Sequence, residues 1–533
     1  MKTRTLLILF FAGIILSSLL TLLSATPGYM DAAYYYVGGV NLTEGNGFFE
    51  QFLWNYLDSP AGLPHPSHLY WMPLPSILAA LGLLLGGEST YAWARIPFII
   101  LGGLVPLITA LLAYRVTDSP RKAVLSGMLA VFPGFYAIFL NHTESFSPFM
   151  VLGGLFFLLM TVDTTEEKLV FPSIFGLGLV SGLMHLTRAD GLVWYAGGLF
   201  YLFLVCVTNR NITRSIRIKS FIFQTAILTL GYVLVMLPWF LRNMELFGSP
   251  MSPGGRFSFW FVDYDDLYYY PADSLTPGRW FDSSFSAIFA ARWGSFVQNI
   301  QTFVAVQGEI FLFPLILIGY WKLWRKKSME MAGVIWMITF GVMTVIFPFA
   351  GARGGFFHSG AAFQSMFWVL AAEGLDQIIH LGVKNRNWDF AQAWNFLGAG
   401  LVFISIILTG FLIINRVVGF DFPPNKWDRD WNRYREIERE LSNLNIPKDS
   451  IILINNPPLY YAANRRPGVV IPDGDIQMTM RVADQYQAKI LVLEENHPDG
   501  LDTLFNQSDI SLERLEKLSS DINQVQIYRI RSQ

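Results

Sequence analysis

Long apolar runs, separated by short polar segments, follow one another through the first 420 residues of the chain. After a short basic start, about twenty apolar residues lead to Ser24, which is enough to cross a bilayer and longer than the apolar core of a cleaved signal peptide. Further runs of similar length occupy 93–114, 122–140, 145–162, 170–187, 191–208, 220–240, 301–321, 331–350, 359–380 and 394–415. The pattern predicts about eleven transmembrane helices, the first of them uncleaved.

A shorter run, from Trp71 to Gly87, begins with two prolines and fits either a span or a helix lying along the membrane surface. The charges favour the surface helix. If this run lies on the membrane surface, all the basic clusters fall on one side of the bilayer, and an excess of basic residues marks the cytoplasmic side. The opposite segment from Ala25 to Trp93 holds no Lys or Arg. The sequence thus predicts a cytoplasmic N-terminus and an extracytoplasmic C-terminus. The basic residues on the cytoplasmic side are Lys2/Arg4, Arg115/Arg121/Lys122, Lys168, Arg210/Arg214/Arg217/Lys219, Lys322/Arg325/Lys326/Lys327 and Lys384/Arg386.

The last part of the chain is polar and has a different periodicity. Trp427–Leu444 has the pattern of an amphipathic helix, and short β-branched runs indicate strands with helical stretches between them. These runs lie at 450–455, 468–472, 489–495 and 525–530. We therefore predict a polytopic α-helical membrane domain over residues 1–420 and a small extracytoplasmic α/β domain over residues 421–533.

Composition supports a membrane protein and excludes other classes. Of the 533 residues, 53% are hydrophobic and only 15% are charged, whereas soluble domains average about 25% charged residues. The net charge of −2 gives no basic excess for binding nucleic acid. The single cysteine excludes a disulfide framework within the chain and a zinc–cysteine cluster.

Acidic and histidine side chains occur in several of the predicted outer loops. Asp31 lies just beyond the first span, and Glu144 lies in the short turn NHTESFSP with His142. Either acid could be a general base, or simply a favourable charge or cap at a helix N-terminus. His65 and His68 precede the surface helix and could be metal ligands, acceptor-binding groups or ordinary interfacial residues.

Arginines occupy three further outer turns. Arg188 precedes Asp190 in HLTRADG, Arg242 lies in LPWFLRN, and Arg353 precedes His358 in GARGGFFHS. The Arg188–Asp190 pair could be structural, yet guanidinium groups also suit phosphate recognition. Acids and arginines at one membrane face together fit displacement of a phosphate leaving group by an alcohol.

These features resemble the GT-C glycosyltransferases over about residues 1–420. The resemblance includes the acid after the first span, the helix after a His/Pro-rich stretch and the acid after the third span. It is closest to protein O-mannosyltransferases, lipid A aminoarabinose transferases and bacterial glycosyltransferases of the family 39 type. The motifs are R-I-P-F (Arg95–Phe98), T-R-x-D-G (Thr187–Gly191) and P-W-x-x-R-N-x-x-x-F-G-S-P (Pro238–Pro250).

The resemblance implies a GT-C fold and a hexosyltransferase that takes its sugar from a polyprenyl or dolichyl phosphate. Asp31 would be the catalytic base and Glu144 would orient the acceptor, which could be a protein, a glycolipid or a polysaccharide. The product would have inverted configuration, and the site would face outward from the plasma membrane. Arg188, Arg242, Arg353 and His358 would bind the donor phosphate, whereas His65, His68, His142 and Asp190 would contact the acceptor or line the site.

The chain departs from the family pattern in two ways. Its first loop has the single acid Asp31 instead of an adjacent acidic pair, and His65 and His68 stand where some relatives have an acid. The second departure leaves a divalent metal possible, although we predict that none is required and no other cofactor is needed. Two alternatives stay open: a secondary transporter or lipid flippase, and a non-catalytic subunit with the same fold. The outer position of the charges and the absence of paired halves argue against a transporter.

Overall fold

The computed structural model describes residues 1–161, 167–208, 213–420, 425–506, 514–518, 522 and 524–531. The predicted domain boundary at residue 420/421 adjoins residues outside these ranges and stays a prediction. The helices are α1 (Thr3–Thr21), α2 (Met30–Thr43), α3 (Leu74–Gly86), α4 (Tyr91–Ala94), α5 (Ile96–Thr117), α6 (Pro120–Val131), α7 (Phe146–Met160), α8 (Glu167–Thr187), α9 (Leu192–Thr208), α10 (Arg214–Phe247), α11 (Gly254–Phe257), α12 (Pro277–Asp282), α13 (Phe285–Gln301), α14 (Phe313–Leu323), α15 (Lys327–Gly341), α16 (Pro348–Ala350), α17 (Phe356–Gly360), α18 (Gln364–Arg386), α19 (Phe390–Ile413), α20 (Arg429–Asn443), α21 (Pro457–Asn464), α22 (Ile476–Tyr486) and α23 (Asp502–Asn506).

The chain is a multi-pass membrane protein. Among the described residues, 7 helical segments are long and apolar enough to cross a bilayer. Shorter apolar helices, among them α7 and α14, accompany them, and the surface run predicted at Trp71–Gly87 forms the 13-residue helix α3. The predicted number of eleven spans and the predicted orientation therefore stay predictions. The segments are Thr3–Thr21, Tyr91–Thr117, Ala189–Val207, Arg214–Phe247, Lys327–Ile346, Pro348–Arg386 and Phe390–Val418.

Several of the predicted spans are interrupted, and two of the breaks lie close together. The run at 122–140 stops as an α-helix at Val131, because Phe132 leaves the helical region and Gly134 adopts φ +52°. The run at 301–321 breaks before α14, where Glu309 and Ile310 both have positive φ. The two breaks meet, since the carboxyl group of Glu309 fills the space beside Gly134. Apolar length alone does not reveal such breaks.

Close contact between α14 and α18 depends on glycine. A Cβ atom at Gly319 would lie 1.9 Å from the Leu370 carbonyl oxygen, and one at Gly374 would lie 2.0 Å from the Leu315 carbonyl oxygen. These are clashes with backbone, which cannot rotate away. Small residues are therefore required where the two helices touch, as is common between membrane helices.

Replacement of Gly374 by leucine is expected to destabilise the protein by at least about 3 kcal/mol, because the helices α14 and α18 would have to separate. The matched control is Gly400→Leu in α19, where an added Cβ meets no heavy atom within 4 Å. Thermal unfolding in detergent measures the difference. Equal midpoints for the two variants would contradict the packing role of Gly374.

The polar end of the chain folds around a six-stranded mixed sheet. Its order is β2-β5-β4-β6-β8-β7, with β2, β5, β4 and β6 parallel and the last two strands antiparallel to their neighbours. The strands are β1 (Phe49–Glu50), β2 (Phe52–Leu53), β3 (His65–Pro66), β4 (Ile452–Ile454), β5 (Gly468–Val470), β6 (Ile490–Glu494), β7 (Leu515–Leu518) and β8 (Val525–Ile530). The predicted strands correspond to β4, β5, β6 and β8, whereas β7 was not predicted.

The first outer loop takes part in this sheet. Strand β2 pairs in parallel with β5, so that Phe52 lies opposite Gly468. A second link joins the connection between α1 and α2 to the start of α20: Asp428 accepts hydrogen bonds from the backbone N–H and the hydroxyl of Thr26. The α/β region is thereby fixed to one end of the helix bundle, beside Asp31.

Candidate active site

Helix α2 places Asp31 in its first turn, where the free N–H groups favour a carboxylate. The chain reaches this turn through Gly28, whose φ is +80°, and a Cβ atom there would lie 2.1 Å from the indole Nε1 of Trp427. Only glycine suits both the backbone conformation and the contact. The Asp31 side chain remains 28% exposed, and it is thus accessible to a ligand.

The turn between α6 and α7 brings Glu144 beside α2. Thr143 donates a hydrogen bond of 2.6 Å from its hydroxyl to the Ala32 carbonyl oxygen, which fixes the turn against that helix. The Glu144 side chain is 1% exposed. Its Oε1 accepts hydrogen bonds from the backbone N–H and the hydroxyl of Ser145, while its Oε2 is buried without a hydrogen-bond partner.

His358 completes this group from a distant part of the chain. Its Nε2 lies 4.0 Å from Asp31 Oδ2, and its Nδ1 lies 3.6 Å from Glu144 Oε1. The imidazole stacks on Phe146 with ring centroids 4.1 Å apart. The preceding π-helical turn, Gly351–Gly355, contains Gly354 at φ +109°, a conformation that suits glycine alone. Asp31, Glu144 and His358 form what we call the acid–histidine cluster.

Arg188 and Asp190 lie at the rim of the cluster, directly after α8. Arg188 Nε pairs with Asp190 Oδ1 at 2.8 Å, and Asp190 Oδ2 accepts a hydrogen bond from the Ser359 hydroxyl. The pair is therefore linked to the residue next to His358. The positive charge of Arg188 also lowers the pKa of the Asp31 and Glu144 carboxyl groups, because it favours their ionised forms.

Burial opposes the effect of Arg188 and has the larger influence on the pKa of both Asp31 and Glu144. It raises the pKa of Asp31, and it raises the pKa of Glu144 more strongly, with a further contribution from the negative charge of Asp31. Two close, buried carboxyl groups do not ionise together readily. Asp31 consequently loses its proton first, while the less exposed Glu144 retains its proton.

The cluster has a donor set that suits a divalent cation. One possible ligand atom from each of Asp31, Glu144 and His358 lies within 4.8 Å of the other two. Carboxylate oxygens and an imidazole nitrogen are common ligands of zinc and manganese. Whether the protein requires a metal is a separate question, on which the prediction that it requires none still stands.

Arg353 lies near the cluster but is bound to the second outer loop, by which we mean residues 248–284 between α10 and α13. Its Nη2 pairs with Asp265 Oδ1 at 2.6 Å and also donates to the Tyr264 carbonyl oxygen. The guanidinium carbon lies 3.6 Å from the centre of the Tyr264 ring. Burial raises the pKa of the Tyr70 phenol, the charges of Arg353 and Arg188 lower it, and that of Asp31 raises it, so that all three charged groups lie within electrostatic range of this side chain.

Arg242, near the C-terminal end of α10, lies beside His68 of the first outer loop, outside the cluster. Arg242 Nη2 donates hydrogen bonds to the carbonyl oxygens of Ser67 and Phe48, at 2.8 and 3.2 Å. His68 is fully buried among aromatic rings, among them Trp239. Burial and the charge of Arg242 lower the pKa of His68 to about 3, which keeps the imidazole neutral.

His65 and His142 also have structural partners. His65 Nε2 lies 2.7 Å from Asp58 Oδ2, and its Nδ1 lies 3.8 Å from Glu50 Oε1. Burial alone would lower the pKa of His65, but these two acids raise it to about 9. His142 Nδ1 forms a 2.7 Å hydrogen bond with the Tyr91 hydroxyl, and its ring stacks on Trp427. Both histidines thus hold outer segments together.

Sequence reasoning missed Ser145, Ser359, Asp265 and Glu309. The two serines directly follow predicted site residues in the chain, and that position was the only available signal. Asp265 lies within an acidic, aromatic outer loop, and the sequence around it matches no motif that would indicate a role. Glu309 is a buried carboxyl group inside a predicted span and accepts a 2.8 Å hydrogen bond from Trp368; a charge inside an apolar run was its available signal.

The acid–histidine cluster and the basic segment that contains Lys326 lie towards opposite ends of α5. Arg95, just before α5, donates a 2.6 Å hydrogen bond to the Ser24 carbonyl oxygen near the cluster. At the other end of α5, Lys326 donates to the Val116 carbonyl oxygen. The 22 residues of α5 separate these contacts by about 33 Å, which is close to the thickness of a bilayer.

Comparison with known proteins identifies the architecture. No protein-family model and no curated protein sequence matches the chain. The chain is similar to the archaeal oligosaccharyltransferase AglB from Archaeoglobus fulgidus, in complex with an inhibitory peptide and a dolichol-phosphate. That match has a TM-score of 0.59 and 14% identity, and covers 92% of this chain and 69% of AglB.

The chain is also similar to ArnT from Cupriavidus metallidurans bound to undecaprenyl phosphate. The TM-score is 0.55 at 11% identity, over 99% of this chain and 98% of ArnT. The apo structure of ArnT gives a TM-score of 0.57, also at 11% identity, over 98% of this chain and 97% of ArnT. Both proteins share the bundle and the outer region, and the chain therefore has the predicted GT-C fold, with a small α/β region attached to its helix bundle.

Proposed function

We propose that the protein is an inverting glycosyltransferase of the membrane, which transfers a sugar from a polyprenyl or dolichyl phosphate to an acceptor hydroxyl on the extracytoplasmic face. The observation that carries this proposal is the meeting of Asp31, Glu144, Arg188 and His358. These residues come from four separate segments of the chain, yet they converge at one end of a GT-C fold. A carboxylate next to a guanidinium group suits attack by an alcohol on a sugar whose leaving group is a phosphate.

The proposed reaction assigns one role to each group. Asp31 accepts the proton of the acceptor hydroxyl, whose oxygen forms the new bond to the anomeric carbon. The bond from that carbon to the donor phosphate breaks, and the electron pair leaves with the phosphate oxygen. Arg188 stabilises this increasing negative charge, with Arg353 as the second cation. Attack from the side opposite the phosphate inverts the anomeric configuration.

The neighbouring structures support a lipid-linked donor. AglB was solved with a dolichol-phosphate and ArnT with undecaprenyl phosphate. A polyprenyl chain requires a membrane protein whose site lies at the level of the lipid head groups. In this chain the cluster lies at the end of α5 opposite Lys326, which belongs to a cluster of four basic residues, and such clusters mark the cytoplasmic side. An extracytoplasmic site is consistent with that arrangement.

Transfer of a labelled sugar by purified protein in nanodiscs tests the proposal. Polyprenyl-phosphate donors are supplied with a peptide, a glycolipid or a polysaccharide acceptor, and the anomeric configuration of the product is measured by NMR. Labelled product of inverted configuration is expected with at least one combination. Movement of the lipid across the bilayer without sugar transfer would instead identify a transporter. Binding of the lipid with neither movement nor sugar transfer would identify a non-catalytic subunit.

We further propose that catalysis requires no metal, because Asp31 can act as the base and arginines can neutralise the phosphate. Treatment with EDTA, followed by removal of the chelator, is expected to leave the rate of transfer within about twofold of the untreated protein. The metal content of the same samples is measured by mass spectrometry. Loss of activity that returns on addition of Mn²⁺ or Zn²⁺ would overturn this prediction and assign the metal to the acid–histidine cluster.

A further inference from the structure

The strongest unassigned feature is the pairing between Arg353 and Asp265. Arg353 lies five residues before His358, and the side chain of His358 is the nearest group, at 3.8 Å, to a Cβ atom built at Gly354. The arginine is therefore attached to the same short segment as the cluster. Its guanidinium nevertheless contacts an acid of the outer loop, at 2.6 Å.

The pair is built so that a ligand can displace it. The Asp265 side chain is 54% exposed, whereas that of Arg353 is 19% exposed, and water weakens an ion pair whose carboxylate it can reach. The Arg353 Nε is buried without a hydrogen-bond partner. The guanidinium thus has unused donor capacity, which a phosphate oxygen could satisfy together with the Nη2 group.

The surroundings of the pair carry excess negative charge. Asp266 pairs with Arg279 at 2.7 Å. Burial raises the pKa of Asp473, and the negative charge of the nearby Asp265 raises it further. Asp473 also reaches this loop through its backbone N–H, which donates a 3.1 Å hydrogen bond to the Tyr268 carbonyl oxygen. A second anion bound at Arg353 must therefore compete with carboxylates.

We infer that Asp265 competes with the lipid phosphate for Arg353, and that it thereby limits how tightly the enzyme holds its polyprenyl phosphate product. This inference rests on the proposed function. The leaving phosphate carries more negative charge than the donor, because the bond to the sugar has been broken. It would bind to the arginines more strongly than the donor does, and a competing carboxylate would help to release it.

Binding of polyprenyl phosphate to the full-length protein in nanodiscs tests the inference, with a fluorescent lipid phosphate as the probe. Asp265→Asn is expected to tighten binding by about two- to fivefold, the range that corresponds to the loss of one exposed ion pair. The matched control is Asp273→Asn, which removes one exposed acid of the same loop and is expected to leave the affinity unchanged. Thermal unfolding establishes that both variants are folded.

A double-mutant cycle assigns the effect to Arg353. In an Arg353→Gln background, the Asp265→Asn change should no longer alter the affinity. Equal affinities of the native protein and the Asp265→Asn variant, or weaker binding by the variant, would overturn the inference. Failure of the native protein to bind the lipid phosphate would overturn the proposed donor class instead, so that the two failures can be distinguished.

Discussion

Replacement of Asp31 by asparagine is expected to lower the rate of sugar transfer by at least about 100-fold, the usual contribution of a general base. Asparagine has nearly the same shape, but its amide cannot accept the acceptor's proton. The first turn of α2 tolerates the change, because the Asp31 side chain is 28% exposed and forms no ion pair that the fold requires. Folding and membrane insertion should therefore be preserved.

Steady-state transfer with a labelled donor measures this effect, and donor binding is measured in the same preparation. The matched control is Glu44→Gln, at the other end of α2, where the carboxylate forms an exposed ion pair with Arg465 at 3.1 Å and accepts a 3.4 Å hydrogen bond from the Asn46 side chain. Near-native activity is expected for the control. An Asp31→Asn variant that retained near-native turnover would remove Asp31 from the mechanism, whatever its effect on donor binding.

The apolar runs were sufficient to predict a multi-pass membrane protein, because the membrane imposes a simple length requirement on apolar helices, whereas the GT-C fold was predicted from the resemblance of the motifs. It also led to Asp31, Glu144, Arg188 and His358, which the structure brings to one end of the bundle. The reason is topological: residues at the same ends of alternate spans must lie on the same side. Distances within that surface do not follow from topology, and the stacking of His358 on Phe146 was therefore not predicted.

Other placements were not predictable, and they arise where outer segments fold against one another. Arg242 donates to the carbonyl oxygens of Ser67 and Phe48, and its contact with the donor phosphate stays a prediction. His65 lies between two acids, and its place in the lining of the site also stays a prediction. Strand β2 pairs with residues more than 400 positions later in the chain. Such partners are set by tertiary packing of irregular loops, which has no periodic signal in the sequence.

The second large effect is expected from Arg188→Gln, which should lower kcat/KM by about 100- to 1,000-fold, as loss of a group that stabilises an oxyanion does. The same change should alter the pH dependence. Arg188 stabilises the ionised form of Asp31 and so lowers its pKa. Without Arg188 that pKa rises, and Asp31 stays protonated up to a higher pH. The acidic limb of the kcat/KM profile should therefore move to higher pH.

Profiles of kcat/KM against pH for the native protein and three variants separate this role from a structural one. Arg256→Gln, an exposed arginine of the second outer loop, is the matched control and should leave the profile unchanged. Asp190→Asn removes the partner of Arg188 but retains the positive charge. If Arg188 only holds Asp190 in place, Asp190→Asn and Arg188→Gln will have equal rates and an unmoved acidic limb. A shift confined to Arg188→Gln is expected, because the charge that acts on Asp31 belongs to the guanidinium and is lost only in that variant.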